Sequence, residues 1–178
     1  MQRQPHRQRG MTVVEAALVL AVLAVVVGAA LPSFEQLRQR RHLEGVALQF
    51  ETDVHHARSL AVAQQLALRI SFDDGAAASC YVVHTGAANA CTCADDGSAV
   101  CAEGATALRA VRIDRRRAAT LQANVRSMLL DPVRGTVTPT ATVRVRSADG
   151  QTLHQVVNIM GRVRSCAPAP GLPGYRNC

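Results

Sequence analysis

The feature that most constrains this chain is a long apolar run near its N-terminus. Residues 12–31 span 20 positions and contain one charged residue, Glu15. A helix of that length is roughly 30 Å long, which matches the hydrocarbon core of a bilayer. Residues 1–10 hold three arginines and no acidic residue, as in a segment that stays cytoplasmic. A helix-compatible segment follows the run without a break, so we predict a retained single-pass membrane anchor rather than a cleaved signal peptide.

Glu15 is an unusual residue for a membrane helix, because a carboxylate there is costly and is usually functional. Cleavage after Gly10 would give Met11 a positively charged amine, four residues before Glu15. The carboxylate could then pair with the amine of a neighbouring subunit in a packed helical assembly. The alternative is that Glu15 lies at the membrane interface and snorkels.

The segment Arg9–Glu15, followed by the apolar run, resembles the prepilin leader of type IV pilins and type II secretion pseudopilins. The resemblance implies that a prepilin peptidase cuts after Gly10 and N-methylates Met11. It also implies that Glu15 helps to dock the subunit into a filament and that Pro32 occupies the helix-kink position. Met11 stands where Phe is the commoner residue.

Beyond Ser33 the chain has helical periodicity to about Gln65, so we expect the membrane helix to continue as an amphipathic helix that Pro32 bends. Its predicted stripe is Leu43, Val46, Phe50, Val54, Ala57, Ala61 and Gln64.

Short segments rich in Val, Ile, Leu and Thr predict strands at Leu66–Phe72, Cys80–His84, Ala107–Ile113, Thr120–Val125, Ser127–Leu130, Thr136–Val145 and Leu153–Ile159. Asp149-Gly150 is a hairpin signal, and residues 73–106 are expected to be mostly loop with one strand. A long helix before antiparallel strands predicts an α+β fold.

Six further segments resemble the GspH/FimT family of minor pseudopilins and minor pilins. They are Ala57–Ala61, Asp131–Thr138, Val143–Val145, Asp149-Gly150, Val156–Ile159 and Gly161–Arg164. This resemblance implies a pilin-like fold, with a long N-terminal helix packed on an antiparallel β-sheet or β-sandwich domain. The expected organisation is a leader at 1–10, a transmembrane and assembly helix at 11–40, and a periplasmic globular domain with a cysteine-bearing tail at 41–178.

The six cysteines lie beyond the membrane run, and an even number in an oxidising compartment favours disulfides. We expect Cys166 to pair with Cys178. The other four, Cys80, Cys91, Cys93 and Cys101, would pair among themselves in a pattern that the sequence leaves open. The alternative is a zinc site formed by Cys91, Cys93 and Cys101.

The sequence contains none of the common catalytic or nucleotide-binding motifs GxSxG, P-loop, GxGxxG and HExxH. His55 and His56 are adjacent on the predicted helix and point about 100° apart, so we interpret them as a solvated face. Asp73-Asp74 and Asp95-Asp96 are typical of turns. We therefore predict a protein that is not an enzyme and that has no cofactor and no metal.

Charge is segregated along the chain, which suggests an anionic partner. Residues 11–108 carry a net −5, whereas residues 109–178 carry twelve arginines and three acidic residues, a net +9. Arg162 and Arg164 share one face of an extended segment, and Arg176 lies within the Cys166–Cys178 interval. Guanidinium groups match phosphates bidentately. The alternative is that Arg162 and Arg164 pair with acidic residues of neighbouring strands or subunits.

In the FimT branch of the family, a GRxR segment with a cysteine-bearing tail resembles a DNA-binding element of natural transformation. The resemblance therefore implies a minor pilin with a DNA-binding tail. The net +9 of residues 109–178 and the scarcity of aromatic residues predict that the isolated domain, from about Arg41, binds DNA weakly and without sequence preference. Its expected partners are other pilin subunits, the prepilin peptidase, membrane lipid and DNA. Two alternatives remain: a type II secretion pseudopilin H with a purely structural role at the tip, and a membrane-anchored periplasmic metal or redox protein.

Overall fold

A computed structural model of the chain describes residues 12–75, 78–115 and 119–178, without the side chains of Ala30 and Pro32. The described part of the chain starts with a helix of 52 residues, α1 (Val13–Gln64). Thr12 precedes it, and the Glu15 backbone N–H donates to Thr12 Oγ1 at 3.2 Å, the geometry of a helix N-cap. The helix runs on through Pro32 and ends one residue before the predicted boundary at Gln65.

The chain divides into two compact units between Arg38 and Gln39, two residues before the predicted boundary at 40. In the first unit, the apolar part of α1 is long and apolar enough to cross a membrane. Its large side chains are exposed from Val13 to Leu37. That pattern is typical of a helix that faces lipid or other helices rather than water.

Among its described residues, the second unit contains eleven strands, paired antiparallel in three sheets. The strands are β1 (Leu68–Asp74), β2 (Ala78–His84), β3 (Cys91–Cys93), β4 (Ala99–Cys101), β5 (Ala107–Asp114), β6 (Ala119–Ala123), β7 (Ser127–Leu130), β8 (Val137–Thr138), β9 (Ala141–Ser147), β10 (Thr152–Val157) and β11 (Val163–Cys166). A five-stranded sheet has the order β5-β2-β1-β7-β8, a four-stranded sheet the order β11-β10-β9-β6, and β3-β4 form a hairpin. The predicted α+β architecture, a long N-terminal helix followed by antiparallel sheets, is confirmed.

One hydrophobic core joins the helix to both larger sheets. The buried stripe of α1 follows the predicted periodicity, with Leu43, Phe50, Val54, Ala57 and Ala61 each no more than 1% exposed. Val46 is partly buried against the core, and Ala47, outside the predicted stripe, is fully buried. One detail of the stripe was wrong, because Gln64 is exposed where the helix ends.

A polar triad centred on a buried carboxylate ties α1 to the five-stranded sheet. Asp53 Oδ2 accepts a hydrogen bond from Tyr81 Oη at 2.6 Å and another from Arg109 Nε at 2.8 Å. Burial raises the pKa of Tyr81, and its hydrogen bond to Asp53 raises it further. The charge of Asp53, whose side chain is 7% exposed, is therefore satisfied by two donors from different strands.

Two strand predictions were wrong. Residues 73–106 contain three complete strands, β2, β3 and β4, rather than one. The predicted strand Thr136–Val145 is two strands, β8 and β9, separated at Pro139, which has no backbone N–H to donate to a ladder. The remaining predicted strands are present with ends displaced by up to two residues, and Ser127–Leu130 has the predicted bounds.

Candidate nucleic-acid interface

Strand alternation places arginines on the outer side of the four-stranded sheet. In β9, Val143 and Val145 are buried in the core while Arg144 and Arg146 are exposed. In β11, Val163 is buried and Arg164 is exposed. Because successive side chains of a strand point to opposite faces, these three arginines emerge on the same side of one sheet. Arg144 and Arg146 were missed in the sequence analysis, although the alternation VRVRS already signalled them.

The strand register places His154 at the centre of this side of the sheet. His154 on β10 lies opposite Arg144 of β9 and opposite Cys166 of β11. Arg164 lies opposite Val156, the next outward residue of β10. Burial lowers the pKa of His154, and the adjacent Arg144 guanidinium lowers it further. The imidazole is therefore neutral at pH 7, and its protonation under acid conditions adds a positive charge to this surface.

The C-terminal tail is fastened to the same sheet. The backbone N–H of Ala167 donates to the carbonyl of Arg176 at 2.9 Å, and the N–H of Cys178 donates to the carbonyl of Ala167 at 3.1 Å. A disulfide joins Cys166 to Cys178, as predicted. These links place Arg176 beside the end of β11.

The other side of the tail is tied to the helix and the core. Arg40 Nη2 donates to the Pro173 carbonyl at 2.6 Å. Leu172 is buried and Tyr175 packs against the core as a partly buried residue. The tail is therefore a fixed element of the globular unit, and the arginine that it carries is presented from a rigid support.

We call the exposed cations of this region the arginine face, which comprises Arg144, Arg146, Arg162, Arg164 and Arg176. Among the residues that the structure describes, no carboxylate oxygen lies within 4.0 Å of a guanidinium nitrogen of these five. Ion pairs of that kind are formed by Arg38, Arg40, Arg41, Arg109 and Arg115. Asp149 is the acidic residue of the β9–β10 turn, and it accepts hydrogen bonds from Ser147 and Gln151. The chain's own described acidic residues therefore leave the arginine face unneutralised.

Arg58 fixes the turn that introduces β11. Its Nε donates to the Gly135 carbonyl at 2.7 Å. A Cβ on Gly161 would lie 2.6 Å from Arg58 Cδ, and Gly161 has a φ of +70°. The segments Ala57–Ala61, Asp131–Thr138 and Gly161–Arg164 thus meet at one guanidinium, which sets the position of Arg162.

The other four cysteines form two disulfides, Cys80–Cys93 and Cys91–Cys101. The second closes the β3–β4 hairpin, in which Cys91 lies directly opposite Cys101. The first fastens that hairpin to β2. The alternative zinc site at Cys91, Cys93 and Cys101 is therefore wrong for this structure, since all three sulfurs are used in disulfides. His55 and His56 are exposed, as expected for a solvated face.

The predicted processing and assembly residues lie elsewhere. Gly10 and Met11 fall outside the described residues. Glu15 lies in the first turn of α1, three residues after Thr12. The sequence Thr12-Val13-Val14-Glu15 is a capping-box pattern, which provides a local reason for Thr12 and Glu15 in addition to assembly.

Comparisons with known proteins identify the family. The profile of the family described as type II transport protein GspH matches residues 46–161. Among solved structures, the Pseudomonas aeruginosa type IV minor pilin FimU is similar with a TM-score of 0.50 and 20% identity, over 76% of this chain and 96% of that one. No curated protein sequence matches the chain. The matched profile covers most of the globular unit, and the chain belongs to the GspH family of pilin-like proteins.

Proposed function

We propose that the chain is a non-enzymatic minor pilin whose arginine face binds the phosphates of DNA without sequence preference. The observation that carries the proposal is the set of five exposed arginines with no carboxylate partner among the described residues. By contrast, Arg109 and Arg58 are satisfied within the fold, by the Asp53 carboxylate and by the Gly135 carbonyl. The five arginines of this face have their guanidinium groups available to an external anion.

The composition of the face determines the kind of binding. The chain has 3% aromatic residues and no Trp, so a stacking platform for bases is not available. Phosphate contacts hold a protein on nucleic acid but carry no sequence information. We therefore expect affinity that depends strongly on salt and little on base sequence.

The experiment is a titration of labelled duplexes with residues 39–178, a fragment that retains the Arg40–Pro173 contact. Arg162→Gln with Arg164→Gln should weaken binding by the same factor on duplexes of different sequence. Each lost phosphate contact also reduces the salt slope by about 0.9. Glutamine retains much of the side-chain stem, so the packing changes less than with alanine.

Arg112→Gln is the matched control. Arg112 is an exposed arginine on β5 of the other sheet, close to the Asp96 carboxylate. This variant should bind DNA as the wild type does. Equal loss in the control and the double variant, or a loss that depends on duplex sequence, would contradict the proposal.

The processing of the chain is part of the proposal. We expect a prepilin peptidase to cut after Gly10 and to methylate Met11, which leaves α1 anchored in the inner membrane with the globular unit in the periplasm. The apolar first half of α1 and the family support this. Intact-mass measurement of membrane-extracted protein tests it, and a mature chain that retains Met1 or is cut near Ala30 would overturn it.

The second candidate is a type II secretion pseudopilin with a structural role at the tip of the pseudopilus. The description of the matched family, a type II transport protein, favours it. The two candidates differ in one measurable property, because a purely structural subunit has no reason to bind DNA in a salt-dependent way.

A further inference from the structure

The Cys166–Cys178 disulfide lies beside a histidine whose side chain has no role in the core. His154 lies directly opposite Cys166 in the β10–β11 register. Its Nδ1 is 3.5 Å from Cys178 Sγ. One nitrogen of His154 and the two sulfurs lie within 4.8 Å of one another. The bonded sulfurs cannot act as thiolate ligands, but the arrangement is that of a three-ligand site with one covalent bond across it.

We propose that reduction of the Cys166–Cys178 disulfide converts it, together with His154, into a binding site for a thiophilic divalent cation such as Zn²⁺. The reductant is a dithiol. It supplies two electrons and two protons, the sulfur–sulfur bond breaks, and the reductant leaves as its own disulfide. The cation then displaces both thiol protons and binds two thiolates and one neutral imidazole.

The geometry already suits the cation. A tetrahedral Zn²⁺ with Zn–N near 2.0–2.1 Å and Zn–S near 2.3 Å holds its nitrogen and sulfur ligands about 3.5 Å apart. The His154–Cys178 distance has that value. The same geometry needs the two sulfurs about 3.8 Å apart, and the Cα atoms of Cys166 and Cys178 are 4.9 Å apart. Side-chain rotation after reduction therefore suffices to form the site.

Accessibility singles out this disulfide from the other two. Cys178 is exposed and Cys166 is half-buried. Cys80 and Cys91 are 3% and 2% exposed, so each of the other disulfides has one sulfur inside the fold. Thiol–disulfide exchange requires access of the attacking thiolate to a sulfur, so a mild reductant should open Cys166–Cys178 first.

The charges around Cys166 and Cys178 favour metal binding by the reduced cysteines. The arginines nearest in register, Arg144 and Arg164, stabilise thiolates, the form of cysteine that binds metal. Two thiolates cancel the charge of the cation, so the arginine face gains no further positive charge. The fourth position would be open to water.

The test uses the full chain in detergent, treated with increasing amounts of a dithiol reductant that is removed before the metal is added. Alkylation and mass mapping should show Cys166 and Cys178 opening before the other four cysteines. The partly reduced chain should then bind one Co²⁺, detected by thiolate-to-cobalt charge-transfer absorption, and Zn²⁺ should abolish that absorption. His154→Gln should weaken Co²⁺ binding at least tenfold.

Two variants make the test specific. His56→Gln changes an exposed histidine on α1 and should bind Co²⁺ as the wild type does. Cys166→Ser with Cys178→Ser keeps the other two disulfides and should lose the absorption. The proposal is overturned if another disulfide opens first, if no charge-transfer band appears, or if His154→Gln binds as tightly as the wild type. None of these readouts depends on DNA binding, so they fail or succeed independently of the proposed function.

Discussion

Replacement of Gly161 by alanine should destabilise the globular unit through a collision that can be separated from backbone strain. Gly161 has a φ of +70°, a left-handed conformation that costs a residue with a Cβ about 1–2 kcal/mol. The new Cβ would also lie 2.6 Å from Arg58 Cδ. Arg58 would have to move, and its hydrogen bond to the Gly135 carbonyl would be lost or distorted. A hydrogen bond from a charged donor contributes about 1.5–3 kcal/mol, so the total loss should be about 2.5–5 kcal/mol.

Gly104 offers a matched control. Its φ is +81° and a Cβ there would meet nothing within 4 Å. Gly104→Ala should therefore cost only the conformational part, about 1–2 kcal/mol. In an Arg58→Ala background the collision at Gly161 is removed, so Gly161→Ala should then cost about as much as Gly104→Ala.

Urea unfolding of residues 39–178 with the disulfides intact measures all four variants. The double-mutant cycle isolates the coupling between Arg58 and Gly161. The account expects a coupling of about 1.5–3 kcal/mol. A Gly161→Ala cost equal to that of Gly104→Ala, or one unchanged by Arg58→Ala, would show that Arg58 does not fix this turn.

Three further predictions concern other parts of the chain. Tyr81→Phe removes a hydrogen-bond donor from the buried Asp53 carboxylate. It should lower the free energy of unfolding, measured with urea, by about 1–3 kcal/mol. A loss under about 0.5 kcal/mol would contradict the role given to the Tyr81 hydroxyl. DNA affinity should rise as the pH falls from 6.5 through the lowered pKa of His154, because protonation of the imidazole adds a cation beside Arg144. Titrations across pH should show this rise in the wild type and not in His154→Gln, and an equal rise in both would mean that another group causes it. Glu15→Ala and Glu15→Gln should both leave the anchor inserted and both abolish incorporation into shed filaments, because both remove the charge. Glutamine retains the capping box, so normal incorporation of Glu15→Gln would show that the carboxyl serves only to cap the helix.

The sequence predicted elements that rest on local periodicity. Helix α1 follows from an apolar run and a 3.6-residue stripe, and the strand Ser127–Leu130 follows from a compact apolar segment. The β3–β4 hairpin was missed because its strands are three residues long and carry little apolar patterning. The Cys91–Cys101 disulfide joins its two strands, and no local pattern reveals that pairing.

In the candidate site too, some residues follow from local sequence patterns and others only from the folded structure. Arg162 and Arg164 were predictable from a motif, and Arg144 and Arg146 from simple alternation in β9. The location of His154 beside Cys178 depends on the register of β10 and β11 and on the return of the tail, 24 residues later in the chain. Such long-range placement is set by packing of the whole unit, which local sequence patterns do not encode.

The salt dependence of DNA binding by wild-type residues 39–178 tests the central claim most directly. For duplex DNA, the slope of log K against log salt is about −0.9 per neutralised phosphate. Contacts from Arg162, Arg164 and Arg176 alone give a slope of about −2.7, and engagement of all five arginines gives about −4.5. The account predicts a slope between these two values, equal on duplexes of different sequence. A slope near zero, or no binding at low salt, would contradict the claim that the arginine face binds phosphates.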